Sequence, residues 1–254
     1  MFGLILAGEA VYALPFHVTR FFRPTVLEAF DLTNTELGVA QAVYGIIAML
    51  AYFPGGLIAD RFPARTLIML SLLTTAAGGI YMATLPGYAG AVFVWGLFGL
   101  TTILLFWAAL IRATRDWGGI TEQGRAFGLL EGGRGLLAAF WASLAALLFG
   151  FLFPEGIGSA GFEEKKQALR LIIHGYTLIT ASAAVFVWFA LADPHPSEER
   201  ALAGWRAGSE GAWAHTKQVL RLPAAWLIAV IVICAYVAYK GFDNYSLYAV
   251  QGFG

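Results

Sequence analysis

The sequence predicts an all-α integral membrane protein, and three observations support this prediction. Of the 254 residues, 59% are hydrophobic and 13% are charged, and the mean hydropathy is +0.71. Soluble domains contain about 25% charged residues, so a water-soluble protein of this composition would leave much apolar surface exposed. The apolar residues also form runs of the roughly 20 residues that a helix needs to cross the hydrocarbon core. These runs lack the alternating pattern of membrane barrel strands.

Seven apolar runs have the length and composition of membrane-spanning helices. Each run ends at a segment that carries charged residues or turn-forming proline and glycine. The predicted spans are residues 2–22, 37–59, 66–84, 88–111, 126–152, 171–192 and 222–246. The segments that separate them are 23–36, 60–65, 85–87, 112–125, 154–170 and 193–221.

Lysine and arginine in the connecting segments predict the orientation, because cytoplasmic loops are enriched in these residues. Nine of them fall on one side of the membrane and five on the other. The side with nine is predicted to be cytoplasmic, which places the N-terminus inside the cell. The prediction is a multi-pass protein of the inner (plasma) membrane with the lipid bilayer as its environment.

Charge and cysteine content exclude several classes of function. The 16 basic and 16 acidic residues cancel, so no excess of positive charge is present to bind nucleic acid. Cys234 is the single cysteine of the chain, which excludes an internal disulfide and a cysteine-based zinc cluster. The chain also lacks the common hydrolase, metalloprotease and phosphate-loop motifs. We therefore predict that the protein is not an enzyme and uses no metal and no cofactor.

The segment between the second and third spans reads Gly56-Leu-Ile-Ala-Asp60-Arg61-Phe-Pro-Ala-Arg65. It resembles the signature of the major facilitator superfamily between its second and third helices: a glycine, three residues, an aspartate, a basic residue, then a glycine and further basic residues. Gly56 would let two helices approach closely. Asp60 would pair with an arginine or face the positive N-terminal end of a helix. The resemblance implies that Gly56, Asp60, Arg61 and Arg65 form a gating motif.

The segment departs from the family pattern at two positions. Pro63 stands where the family usually has glycine, and Ala64 stands where it often has arginine. Because proline fixes its own φ angle, we expect a stiffer turn here than in the family pattern.

The resemblance also implies a domain organisation. Transporters of this superfamily have twelve spans in two pseudo-symmetric halves, and this chain would contain seven of them. We expect residues 1–192 to form the N-terminal six-helix bundle, 193–221 a cytoplasmic linker, and 222–254 the first helix of a truncated C-terminal bundle. The full-length protein is expected to be a monomer.

Ionisable residues inside the spans are candidates for function, because a charge at membrane depth costs a few kcal/mol. The organophosphate:phosphate antiporter branch of the superfamily holds an anion between basic residues of its first and seventh helices. The segment from Tyr236 to Gly241 is similar to that branch's seventh helix. The resemblance implies that His17 or Arg20 holds the anion together with Lys240, and we assign Tyr12, Tyr44 and Tyr236 to the same substrate site. As alternatives, Arg20 extends to the outer interface, and Lys240 forms a structural pair with Asp243.

A second group of charged residues is a candidate for proton coupling or for internal ion pairs. Glu131 and Arg134 are three residues apart and therefore share one face of their helix. They would form either an internal ion pair or a proton relay. Glu9 lies well inside the first span, where a carboxylate can take up and release a proton. The full group is Glu9, Glu131, Arg134 and Asp243.

These predictions converge on a secondary active transporter that works by alternating access. Its substrate would be a small hydrophilic, anionic organic solute of the sugar phosphate or organic acid type, with protons or phosphate as the coupling ion. Two alternatives stay open. One is a proton-coupled carrier of a neutral sugar or drug-like compound, and the other is a non-transporting sensor built on the same fold.

Overall fold

The computed structural model describes residues 1–153, 161–191, 218–241 and 244–253, and these residues form helices without any strand. The chain divides into two units, Met1–Asp193 and Pro194–Gly254. The helices of the first unit are α1 Phe2–Phe21, α2 Arg23–Ala29, α3 Asn34–Arg61, α4 Ala64–Met82, α5 Tyr88–Gly118, α6 Gln123–Leu152 and α7 Phe162–Ala190. The second unit contains α8 Pro223–Gly241 and α9 Tyr245–Phe253.

Among the described residues, six helices are long and apolar enough to cross a membrane: α1, α3, α4, α5, α6 and α7. This confirms the prediction of an all-α membrane bundle. The predicted seventh span corresponds to α8, whose apolar part, Pro223–Ala238, is shorter. That helix ends at Gly241 instead of extending to residue 246. Most of the predicted linker 193–221 lies outside the described residues.

The predicted boundaries were least accurate where polar residues begin a helix. We expected residues 154–170 to be a loop, but α7 already begins at Phe162. Its first turn contains Glu163 and Glu164, and the carboxylate of Glu164 accepts a hydrogen bond from the backbone N–H of Gly161 at 2.9 Å. Acidic residues are favourable at this position because the N-terminal end of a helix carries partial positive charge.

The segment 23–36, also predicted to be a loop, contains α2 and the cap of α3. The side-chain oxygen of Thr33 accepts from the backbone N–H of Glu36 at 3.2 Å, and the carboxylate of Glu36 accepts from the backbone N–H of Thr33 at 2.8 Å. This reciprocal capping box satisfies two helix-terminal donors. It accounts for the start of α3 at Asn34, three residues before the predicted span.

In the first unit, α3 packs against α5, α4 against α7, and α1 against both α7 and α6. The contact between α3 and α5 is close enough to require a glycine. A Cβ atom added at Gly99 would lie 2.5 Å from the backbone oxygen of Tyr44. The fully buried core beside this contact includes Trp95, Phe98 and Leu14.

Two membrane helices contain a π-helical segment, and both segments lie near the charged residues predicted to be functional. In α1 the segment is Ala13–His17, and in α5 it is Thr101–Trp107. Pro15 lacks a backbone N–H and therefore interrupts the normal helical hydrogen bonds of α1. Its carbonyl accepts a hydrogen bond from the indole N–H of Trp95 at 3.3 Å. Wide turns of this kind are frequent at functional sites.

Candidate functional site

The residues of the predicted gating motif lie on either side of the short loop that joins α3 to α4: Gly56, Asp60 and Arg61 in the last turns of α3, and Arg65 in the first turn of α4. Asp60 and Arg61 are exposed, and the guanidinium of Arg65 lies 4.5 Å from the centroid of the Trp188 ring in α7. Pro63 has a φ of −56°, within the range that proline prefers, so it fits the turn without strain. Among the described residues, the close helix approach at this end of α3 lies at Gly55, and the role that we assigned to Gly56 stays a prediction.

The difference between the two glycines follows from what surrounds them. A Cβ added at Gly55 would lie 3.1 Å from the backbone oxygen of Leu104 in α5, whereas a Cβ at Gly56 meets none of the described atoms within 4 Å. The contact between α3 and α5 therefore involves the glycine that precedes the family-like motif.

Sequence reasoning missed Arg112, which connects α5 to this loop. Its guanidinium donates hydrogen bonds to the carbonyl oxygen of Ala59 and, at 2.9 Å, to that of Phe62. These carbonyls belong to the last turn of α3, where oxygen atoms lack helical partners. We had counted Arg112 only as one of the loop cations. A basic residue that follows a long apolar span and precedes a turn is the signal that would have indicated this role.

The second feature of the site is the ion pair of Glu131 and Arg134 in α6. One terminal nitrogen of Arg134 donates to both carboxylate oxygens of Glu131, at 2.9 Å each. The Arg134 side chain is 15% exposed and that of Glu131 is 57% exposed. The predicted pair is therefore formed, with the cation largely enclosed and the carboxylate facing outward.

Arg134 is held on its other side by α1. Its Nε–H donates to the carbonyl oxygen of Gly8 at 3.0 Å, and the same nitrogen lies 3.8 Å from a carboxylate oxygen of Glu9. The guanidinium carbon lies 5.5 Å from the ring centroid of Tyr12 and 5.9 Å from that of Trp107. Such distances allow attraction between a cation and an aromatic ring. Arg134 therefore connects α6 with α1 and with the π-helical segment of α5.

Glu9 and His17, both buried, form a second pair within α1. A carboxylate oxygen of Glu9 lies 2.9 Å from Nε2 of His17. Sequence reasoning had assigned these residues to different groups. Eight residues of helix span about 12 Å, so the two side chains meet only because both extend along the helix axis.

Tyr176 of α7 lies beside this pair, and Tyr176 and His17 each carry a buried polar atom without a hydrogen-bond partner among the described residues. The imidazole of His17 lies 5.9 Å, centroid to centroid, from the ring of Tyr176. Neither Nδ1 of His17 nor the hydroxyl of Tyr176 has a hydrogen-bond partner among the described residues. Buried polar groups normally have one. Among the residues that the structure describes, no group of three or more His, Cys, Asp or Glu side chains could hold a metal ion.

The remaining predicted site residues of the first unit lie around Phe16. The Phe16 ring lies 5.9 Å from the ring of Tyr12 and 5.0 Å from that of Tyr44. The Tyr44 hydroxyl shares a 2.8 Å hydrogen bond with the hydroxyl of Thr102, which ties it to the π-helical segment of α5. Arg20 is half-buried in the last turn of α1.

In the second unit, Tyr236 is exposed and Lys240 is half-buried in the last turn of α8. A cation is favourable at the C-terminal end of a helix. The end of α8 borders a hollow of about 320 Å³ lined by Ala238, Gly241, Asn244, Tyr245 and Tyr248. Asp243 lies outside the described residues, so its pairing with Lys240 stays a prediction.

Comparisons with known proteins point to one family. The family model of the Major Facilitator Superfamily matches residues 5–254. The inner membrane protein YihN of Escherichia coli (strain K12) is 33% identical over 240 residues, which cover 94% of this chain and 53% of that protein. The inner membrane protein YqcE of the same organism is 26% identical over 222 residues, 87% of this chain and 49% of that protein.

A third relative, named an uncharacterized transporter, is YybO of Bacillus subtilis (strain 168). It is 30% identical over 125 residues, 49% of this chain and 28% of that protein. The chain spans about half the length of YihN and YqcE. No solved structure matches the chain.

Proposed function

The chain belongs to the Major Facilitator Superfamily, and from this premise we propose that it forms part of a secondary active transporter. Family membership points to a transporter rather than to an enzyme. The inner membrane relatives and the apolar helices support a multi-pass inner membrane protein. In this proposal residues 1–192 form the N-terminal bundle, 193–221 the linker and 222–254 the first helix of the second bundle. The N-terminus lies in the cytoplasm, and the full-length protein acts as a monomer.

One observation supports this function above all others. Four ionisable side chains, Glu9, His17, Glu131 and Arg134, form two linked pairs within the apolar helices α1 and α6. Charged groups at membrane depth are costly, and they usually mark the pathway of a solute or an ion. A purely structural bundle would be more stable with apolar residues at these positions.

We propose that the solute is a small hydrophilic organic anion, such as a sugar phosphate or an organic acid. The basic residues His17, Arg20 and Lys240 would bind it, and Tyr12, Tyr44 and Tyr236 would line its site. The superfamily places substrate near the bilayer midplane, between two halves that open alternately to either side. The Glu9–His17 pair is the proposed proton carrier, because a carboxylate and an imidazole 2.9 Å apart can share and release one proton.

The test is uptake by the full-length protein reconstituted in liposomes, with labelled sugar phosphates, sugar sulfonates and dicarboxylates as solutes. The double variant R20Q/K240Q should reduce uptake of the transported anion by about 100-fold or more, since two charge-assisted contacts contribute about 1.5–3 kcal/mol each. The matched control is K166Q, which removes a cation paired with the exposed Glu163 at the start of α7. Wild-type uptake by R20Q/K240Q would contradict the proposed anion site.

The aromatic residues around Phe16 favour a second candidate, a proton-coupled carrier of a neutral sugar or drug-like compound. The rings of Tyr12, Phe16 and Trp107 are half-buried and adjacent to one another, and aromatic faces suit apolar or sugar surfaces. Excess inorganic phosphate and methanesulfonate should compete with a labelled anionic solute. A neutral solute would be taken up equally well in their presence.

A further inference from the structure

We infer that Arg134 is the residue of the N-terminal bundle that binds the oxyanion group of the solute, and that Glu131 occupies this site between solutes as an internal competing carboxylate. This inference rests on the proposed function, because it names the chemistry of the same pathway. In the sequence analysis, neither Arg134 nor Glu131 was among the residues assigned to the substrate site.

The guanidinium of Arg134 is positioned before any solute binds. Its Nε–H is bonded to the backbone oxygen of Gly8 at 3.0 Å, and its plane lies beside the rings of Tyr12 and Trp107. Gly8 leaves room for this arrangement, since a Cβ there would lie 2.9 Å from Cδ of Arg134 and the arginine side chain would have to shift. A cation held in place by backbone and aromatic contacts loses little conformational freedom when an anion binds, which favours affinity.

Glu131 is suited to leave this site. Its contact is to one terminal nitrogen of Arg134, whereas the contacts with Gly8 and Glu9 involve Nε on the other side of the guanidinium. Displacing Glu131 therefore leaves the anchor of Arg134 on α1 intact. The Glu131 side chain is 57% exposed, so the other helices of the first unit leave its carboxylate room to move away from Arg134. An exposed carboxylate contributes little net free energy to an ion pair.

The geometry also indicates the class of ligand. Arginine presents planar donors in a fork that matches carboxylate, sulfonate and phosphate groups. Glu131 already places two oxygens 2.9 Å from the same nitrogen, so a group with at least two equivalent oxygens fits the position. Tyr12 and Trp107 flank the cation and are half-buried, which leaves ring surface for the remainder of a small organic solute. The ligand is thus an oxyanion attached to a small organic body.

The experiment titrates the purified full-length protein with inorganic phosphate, methanesulfonate or acetate and records the rise in unfolding temperature. Sodium chloride at the same ionic strength is the reference for general screening. We expect at least one oxyanion to stabilise the wild type in a saturable way. R134Q should weaken this apparent affinity about tenfold or more, and R134K should be intermediate because lysine lacks the fork.

The decisive variant is E131Q, because the two interpretations of Glu131 predict opposite results. As a competitor, its neutralisation should tighten oxyanion binding about threefold or more, since an exposed pair contributes up to about 1 kcal/mol. As a structural support for Arg134, its neutralisation should weaken binding. The matched control pair is Glu122 and Arg125, which has the same spacing and a contact of 3.1 Å at the start of α6. E122Q and R125Q should bind as the wild type does.

Three results would overturn the inference: no stabilisation of the wild type beyond chloride, wild-type affinity in R134Q, or weaker binding in E131Q. If R134Q does not yield a folded protein, R134K and E131Q decide the outcome. Uptake by the same preparation separates this inference from the proposed function. Oxyanion binding that depends on Arg134, without uptake of any solute, would overturn the transport proposal alone. Uptake with R134Q at wild-type affinity would overturn the inference alone.

Discussion

Helix α6 provides two glutamate–arginine pairs with the same sequence spacing and very different surroundings. At its start, Arg125 lies 3.1 Å from Glu122, and the two side chains are 66% and 53% exposed. About two and a half turns further on, Arg134 contacts Glu131 at 2.9 Å and is only 15% exposed. Local spacing brings each pair together, but only the second cation also contacts α1 and two aromatic rings. The difference shows that the neighbouring helices, and not the pair itself, make one arginine a candidate site.

The energetic consequences differ accordingly. An exposed pair contributes between about 0 and 1 kcal/mol, because water solvates both partners. Arg134 also lies near the buried carboxylate of Glu9, with side-chain exposures of 15% and 7%, and removing one partner of such an enclosed pair costs about 3–5 kcal/mol, because the other charge is left without compensation. Arg134 is connected to two carboxylates, Glu9 and Glu131, at 3.8 and 2.9 Å. Its loss would leave Glu9 enclosed beside a single remaining partner, His17.

The largest expected effect is on stability, from replacing each arginine with alanine. R134A should lower the free energy of unfolding by about 3 kcal/mol, whereas R125A should change it by less than about 0.5 kcal/mol. Chemical denaturation of the full-length protein in detergent, followed by tryptophan fluorescence, measures both. Equal losses in the free energy of unfolding for the two variants would show that the contacts of Arg134 with α1 and α5 contribute nothing to stability.

The next effect concerns Glu9, a carboxylate near Arg134 with no equivalent beside Arg125 among the described residues. E9Q should reduce proton-driven accumulation of solute about tenfold, because glutamine cannot take up or release the proton. Solute exchange across the membrane, which needs no net proton movement, should stay within about twofold of wild type. Glu9 lies beside His17 and Arg134, and replacing its carboxyl group with an amide should also flatten the pH profile of uptake.

The matched control is E28Q, which removes a half-exposed carboxylate that pairs with Lys165 at 3.2 Å. It should leave both accumulation and its pH profile unchanged. If E9Q accumulates solute as the wild type does, Glu9 is not the coupling group, and the cluster around Arg134 serves solute binding alone.

The smallest expected effect concerns how closely a glycine near each arginine is packed. G8A should destabilise the protein by about 1–3 kcal/mol, because the added methyl group overpacks the contact with Arg134. G128A lies one turn after Arg125, and its methyl group meets none of the described atoms within 4 Å. It should be neutral or slightly stabilising, since alanine favours helix more than glycine does. The unfolding temperatures of both variants measure this difference.

The membrane character, the helical class and the approximate positions of the first six spans could be predicted from the sequence. These features depend on composition and local periodicity, which adjacent residues alone determine. The Glu131–Arg134 pair was also predictable, because three residues of helix bring two long side chains together. The family-like segment from Gly56 to Arg65 was recognisable for the same reason, since its information is contained in ten consecutive residues.

The site itself was decided by tertiary structure. Arg134 meets Gly8 and Tyr12 of α1 and Trp107 of α5 across sequence separations that no local pattern encodes. Glu9 and His17 were expected to have separate roles, because a pair eight residues apart is not a usual helical contact. Gly55, and not Gly56, makes the close contact with α5, and which glycine faces a neighbour depends on how the helices pack. Apolar spans are determined by the transfer of side chains from water to lipid, whereas the partners of a buried charge are determined by which helices meet.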